Sequence, residues 1–187
     1  MIKGNTNGIK EYMLNELEEI HDIKTEKGSL ANIDIINKIV EVTSKINREI
    51  CVAINRKGSV IGISIGDSNT ASLPIIDTSK SKLSGVRIIH THPNSSAKLS
   101  NVDISALQAM RLDVISAIGI TDDKITGVSL GFCKFIDGEL SYEESPILTI
   151  DEIESMDLSG KYEKIEKEFR ENEIKEDNLE RAIIVGI

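Results

Sequence analysis

Apolar residues return along the first third of this chain at two different periods. Ile9, Met13, Leu17 and Ile20 fall three or four apart over residues 8–21, with Glu16, Glu18 and Glu19 on other faces. That is the spacing of an amphipathic helix. Gly28 interrupts it, and Ile36, Ile39, Val40 and Thr43 predict a second helix from Ile33 to Ile46. The period then drops to two. Ile50, Val52 and Ile54 share one face of a strand over 49–55, while Glu49, Cys51 and Ala53 share the other. After Arg56-Lys57-Gly58 a second strand, 59–65, completes a hairpin.

Residues 67–85 are rich in Ser, Thr, Asp and Lys and read as a loop around one brief strand at Leu73–Ile76. A strand over 86–91 follows, and then a helix after Ser100 that buries Ile104, Leu107 and Met110. Val114–Ile120 is almost wholly apolar, as expected of a strand covered on both faces. Ile125–Ile136 is another strand, and Asp137-Gly138 is a hairpin signal leading to residues 139–142. Helices on each side of a mixed sheet make this an α/β sandwich.

Beyond Asp151 the pattern changes. Lys161–Asp177 is dense in Glu and Lys, with Tyr162, Ile165 and Phe169 at helical steps: a charged linker helix with one apolar stripe for the domain or a partner. Ala182–Val185 reads as an apolar strand without neighbours to satisfy its backbone. The expected organisation is therefore a compact domain over 1–150, a helical linker over 151–180, and the start of a further unit at 181–187.

Composition narrows the class. Hydrophobic residues make up 40% of the 187, but only 3% are aromatic and Trp is absent, so Ile and Val must fill the core. A net charge of −9 gives no general attraction to nucleic acid or anionic membranes. Lys80, Lys82, Arg87 and Lys98 could still form a local basic patch. Cys51 and Cys133 lie in separate apolar runs, without the paired spacing of a zinc knuckle, and read as buried thiols in a reducing cytoplasm. No signal peptide or bilayer-length apolar run is visible, which suggests a soluble cytoplasmic protein.

The candidate chemistry lies in Arg87-Ile88-Ile89-His90-Thr91-His92-Pro93, followed by Ser100 and Asp103. On a strand, His90 and His92 leave the same face about 7 Å apart at Cα. Their imidazoles can then converge on one zinc ion at about 2.0–2.1 Å. Ser100 suits the N-cap of the next helix, putting Asp103 in its first turn. The Asp103 carboxylate can face back as a third ligand and leave a fourth position for water, as catalytic zinc sites do. Each half also has a plain reading, as polar residues at a strand end and as simple helix capping.

His90-Thr91-His92-Pro93, the seven-residue gap, and Ser100 with Asp103 resemble the signature of the JAMM (MPN-plus, Mov34/JAB) metalloprotease superfamily. The resemblance implies a fold similar to the cytidine-deaminase-like sandwich and Zn²⁺ held by His90, His92 and Asp103. It also implies Ser100 as a stabiliser of the tetrahedral intermediate, and a peptide or isopeptide substrate. Its general base is a glutamate at the start of an early strand, and Glu49 is the residue that fits.

A second likeness runs along most of the chain. Asn5-Thr6-Asn7-Gly8-Ile9-Lys10, Ile46-Asn47-Arg48-Glu49, Gly66-Asp67-Ser68, Leu83-Ser84-Gly85-Val86-Arg87, Val102–Leu107 and Arg111-Leu112-Asp113 are similar to an amino-terminal extension of some clostridial-type HflX GTPases. Glu180–Ile187 looks like the start of the ordinary HflX amino-terminal domain. That likeness implies a ribosome-associated GTP-binding protein, with the large ribosomal subunit as a partner. No G-x-x-x-x-G-K-S/T run occurs, so GTP and Mg²⁺ would belong to a region outside these residues. Two alternatives to a zinc hydrolase follow. One is a non-catalytic accessory domain for ribosome or partner docking. The other is a nucleic-acid role, since RadC-type proteins bear a similar histidine motif, although the acidic charge argues against it.

Overall fold

The computed structural model describes residues 2–66 and 85–185, with side chains through Asn172. Its elements are β1 (Lys3–Gly4), α1 (Glu11–Glu18) with a 3-10 turn at Glu19–Asp22, α2 (Ile33–Ile46), β2 (Ile50–Asn55) and β3 (Val60–Ile65). β4 (Val86–Pro93), α3 (Asn101–Ala109), β5 (Val114–Thr121), β6 (Lys124–Ile136), β7 (Glu139–Glu144), α4 (Ile150–Ser155) and α5 (Ser159–Val185) follow. One seven-stranded mixed sheet runs β1-β3-β2-β4-β5-β6-β7. With helices packed against it, the expected α/β class holds.

The strand pairing puts the histidine strand at the centre. β4 pairs antiparallel with β2, with Cys51 opposite His90, and parallel with β5 through all of Arg87–Pro93. A parallel pair needs a long crossover, and here the crossover carries α3. Alternation along β4 sends Arg87, Ile89 and Thr91 to one face and Ile88, His90 and His92 to the other. Thr91 meets Thr43 of α2 and Arg87 meets Tyr162 of α5, so those helices cover the first face. Asp103 of α3 meets His90 on the second.

The core is as aliphatic as composition requires. Ile35, Ile36 and Ile39 of α2, Ile50 and Val52 of β2, and Ile115 and Ile118 of β5 are all buried. Asn32 caps α2 by accepting the Asp34 N–H at 2.9 Å, and Asn47 ends it in the left-handed region at φ 52°. Two hairpins turn on consecutive positive-φ residues, Asp122-Asp123 and Asp137-Gly138, which matches the right-handed twist of the strands they join. No helix among the described residues is long and apolar enough to cross a membrane.

Three local expectations fare differently. The loop and brief strand read over 67–85, and Lys80 and Lys82 with them, lie outside the described residues but for Gly85. Arg87 does not join a surface basic patch, because only 1% of it is exposed. Its guanidinium donates to the backbone carbonyls of Ser29, Glu26 and Asn55 and lies 5.1 Å from the Tyr162 ring centroid. Even-odd alternation decides this: position 87 faces the helices of the covered sheet face. Residues 182–185 are helical, not extended, because α5 runs through them without a break. An isolated strand there would leave its backbone unpaired, whereas in the helix the N–H groups bond to carbonyls one turn earlier.

The first half of α5 belongs to the core. Tyr162, Ile165 and Phe169 are buried, and the Phe169 ring meets Phe135 of β6 edge-on at 5.4 Å. At the same end of the sheet, Asp113 accepts from Arg56 Nε at 2.8 Å and Nη2 at 2.9 Å, and Arg56 reaches Glu166 of α5 at 3.1 Å. Phe169→Ala should therefore destabilise the protein by about 3–5 kcal/mol in urea unfolding. A helix that merely linked domains would lose less than about 0.5 kcal/mol.

Candidate metal centre

His90 and His92 reach one point because they sit two apart at the carboxyl end of β4, which extends two residues beyond the strand expected from the sequence. Their Nε2 atoms are 2.9 Å apart, and His90 Nε2 is 3.2 Å from Asp103 Oδ1. One ligand atom from each of His90, His92 and Asp103 lies within 4.8 Å of the others. Among the described residues this is the cluster of histidine, cysteine and carboxylate groups able to hold a metal ion.

Asp103 is aimed by the cap of α3. Ser100 Oγ accepts the Asp103 N–H at 3.2 Å. In return Asp103 Oδ2 accepts the Ser100 N–H and the Ser100 O–H, each at 2.7 Å. This reciprocal capping box fastens Oδ2 and turns Oδ1 toward His90. The capping reading of S-x-x-D and the metal reading are therefore not rivals. Ser100 orients the ligand carboxylate and in this structure commits its hydroxyl proton to it.

The imidazoles are arranged to match. His92 Nδ1 donates to the Ser96 carbonyl at 3.0 Å, which leaves Nε2 with its lone pair directed at the cluster. His90 is 2% exposed and supplies the one proton that can bridge His92 Nε2 and Asp103 Oδ1. A cation there takes the place of that proton. Burial, together with the neighbouring His90, holds His92 below the ordinary imidazole range and so in its neutral, ligand-ready form. Burial raises the Asp103 carboxyl, but hydrogen bonds from His90 and Ser100 outweigh it and keep the group well below the usual carboxylate range.

The donor set fits zinc. Bonds of about 2.0–2.1 Å at tetrahedral angles separate neighbouring ligand atoms by about 3.3 Å. The observed 2.9 and 3.2 Å separations lie close to that, and the third pair, His92 with Asp103, lies within 4.8 Å. Two nitrogens and a carboxylate oxygen also leave a coordination position for water or substrate.

Glu49 stands apart from this triad. It immediately precedes β2, is 7% exposed, and its carbonyl accepts the Gly66 N–H at 2.9 Å. Continuing the Cys51–His90 register by two residues brings Glu49 level with His92 on the histidine face. Burial first, then the charges of Asp103 and Glu49, push the Cys51 thiol up. Cys51 and Cys133 are free buried thiols. The third histidine, His21, is remote from the cluster, with Nδ1 3.4 Å from the Val60 carbonyl.

No family model, curated protein or solved structure matches the chain. The assignment of this site therefore stands on its own geometry. Protein prepared with zinc should carry one equivalent by elemental analysis, and His92→Ala or Asp103→Ala should reduce it below a tenth. Free zinc at a hundred times Kd should add about 2.7 kcal/mol of stability to wild type. An unchanged melting temperature on adding zinc contradicts the assignment.

Proposed function

We propose that this chain is a zinc-dependent hydrolase of peptide or isopeptide bonds, similar to JAMM metalloproteases. The observation that carries the proposal is the convergence of His90 Nε2, His92 Nε2 and Asp103 Oδ1 with the remaining polar atoms of His92 and Asp103 already engaged. A purely accidental cluster has no reason to orient two of its three members from behind. Zinc held there supplies a Lewis acid, able to polarise a carbonyl and to lower the pKa of water toward about 7.

The chain's own residues divide the remaining work. Glu49, buried and outside the ligand triad, serves as general base: it takes a proton from the attacking water and returns it to the leaving amine. Ser100 holds Asp103 and can turn its O–H toward the oxyanion of the tetrahedral intermediate. Asp103 keeps its orientation during that rotation, because the Ser100 N–H still binds Oδ2 at 2.7 Å. Burial and the neighbouring His90 keep His92 neutral, and its bond to the Ser96 carbonyl fixes the tautomer that leaves Nε2 free. The further likeness to the amino-terminal extension of HflX GTPases supports a setting in which this domain accompanies a ribosome-associated GTPase.

Glu49→Gln tests the division of roles. It should retain one equivalent of zinc while hydrolysis of an isopeptide-linked or peptide library falls at least a hundredfold, within the range general bases contribute. Turnover equal to wild type removes Glu49 from the mechanism, and loss of metal shows that it was a ligand instead.

A further inference from the structure

Thr91 lies between the two histidines, and its side chain points the other way. It is wholly buried, with its Oγ1 2.7 Å from Thr43 Oγ1 of α2 and accepting the Ile50 N–H at 2.9 Å. Thr43 is likewise fully buried. These contacts occur where the sheet needs them. On the β2 side, the β4 ladder stops at the Cys51–His90 pair, one residue short of Thr91. On the β5 side it continues through Thr91, His92 and Pro93. Past His90 the ligand strand is therefore held by backbone pairing on one edge only. The Thr91 hydroxyl supplies the missing attachment on the other, taking the Ile50 amide in place of a backbone carbonyl.

A second bond acts at the same junction. Asn47, the left-handed residue that ends α2 at φ 52°, accepts from Asn94 Nδ2 at 2.8 Å, and Asn94 is itself left-handed at φ 51°. The carboxyl-terminal turn of α2 thus grips β4 at Thr91 and at the residue after Pro93. The chain leaving that turn is Arg48-Glu49-Ile50. One helix end therefore sets the position of the ligand strand and of the segment bearing Glu49.

We infer that Thr91 is a positioning residue of the metal centre, whose buried hydroxyl registers the ligand strand against the Glu49 segment through Thr43 and the Ile50 amide. The inference rests on the zinc-site reading above and adds a residue from the opposite face of the sheet. It predicts an asymmetry between two changes of similar size. Thr91→Val keeps the shape and removes the hydroxyl, leaving the Ile50 N–H buried without an acceptor. Thr91→Ser keeps the hydroxyl and removes a methyl group.

The test is zinc affinity, measured by chelator competition, in wild type, Thr91→Val, Thr91→Ser and Ile35→Val. The last is a buried α2 control remote from the junction that lowers general stability alone. Hydrogen exchange at the Ile50 amide is followed in the same proteins. Thr91→Val should bind zinc 10- to 100-fold more weakly, the range expected for groups that orient ligands, with Ile50 protection lost. Thr91→Ser should stay within about threefold of wild type, as should Ile35→Val. If wild type binds zinc and Thr91→Val binds it equally well, the positioning role is wrong while the metal site stands. Equal weakening in Thr91→Val and Ile35→Val likewise overturns it, as a stability effect. If wild type binds no zinc, the site reading fails and takes this role with it. Should Thr91→Val not fold, failure of Thr91→Ser to keep affinity near wild type overturns the inference by itself.

Discussion

The site depends on a strand that cannot shift. His90 and His92 share a face only because β4 alternates strictly, and a slip of one residue would send both imidazoles into the helices behind the sheet. Parallel pairing with β5 along Arg87–Pro93 and antiparallel pairing with β2 prevent that slip. The two faces of β4 then do different work. Arg87 and Thr91 fix the strand to α5, α2 and β2, while His90 and His92 are left to project toward α3.

The opposite ends of β4 are also held by different physics. At the amino end, charge is buried with partners: Asp113 takes a bidentate bond from Arg56, and Arg87 is surrounded by carbonyls and the Tyr162 ring. A cavity of only about 30 Å³ remains among these groups, so they form a packed joint between α5 and the sheet. At the carboxyl end, the polar atoms converge on one another at hydrogen-bond distance. Two nitrogens and an oxygen meet around one shared proton, whose place a cation can take. A hydrogen-bonded joint at Arg87 and a histidine pair able to hold a metal ion at His90 and His92 thus lie three to five residues apart on one strand.

Much of this was legible beforehand. α2 occupies the expected Ile33–Ile46, because its aliphatic stripe is long and its cap residue, Asn32, is a strong one. The hairpins at Arg56-Lys57-Gly58 and Asp137-Gly138 follow from residues that accept positive φ. The His90, His92 and Asp103 cluster is readable because strand alternation and helix capping are short-range rules, and both act within fourteen residues. What the sequence hid is long-range. Arg87 looks like a surface cation until the sheet is assembled and a helix from some 75 residues later lands on it. Thr91 looks like a spacer between histidines, and nothing local announces Thr43 as its partner. Residues 182–185 differ from their local pattern for the opposite reason: the short apolar run carries no sign of the long helix that reaches it.

X-ray absorption at the zinc edge of the loaded protein tests the central claim most directly, since it reports which atoms surround the ion. The account predicts a shell of nitrogen and oxygen at about 2.0–2.1 Å, with the outer-shell scattering of two imidazoles and no sulfur. A sulfur scatterer at about 2.3 Å, as Cys51 would give, or a shell without imidazole, would contradict it.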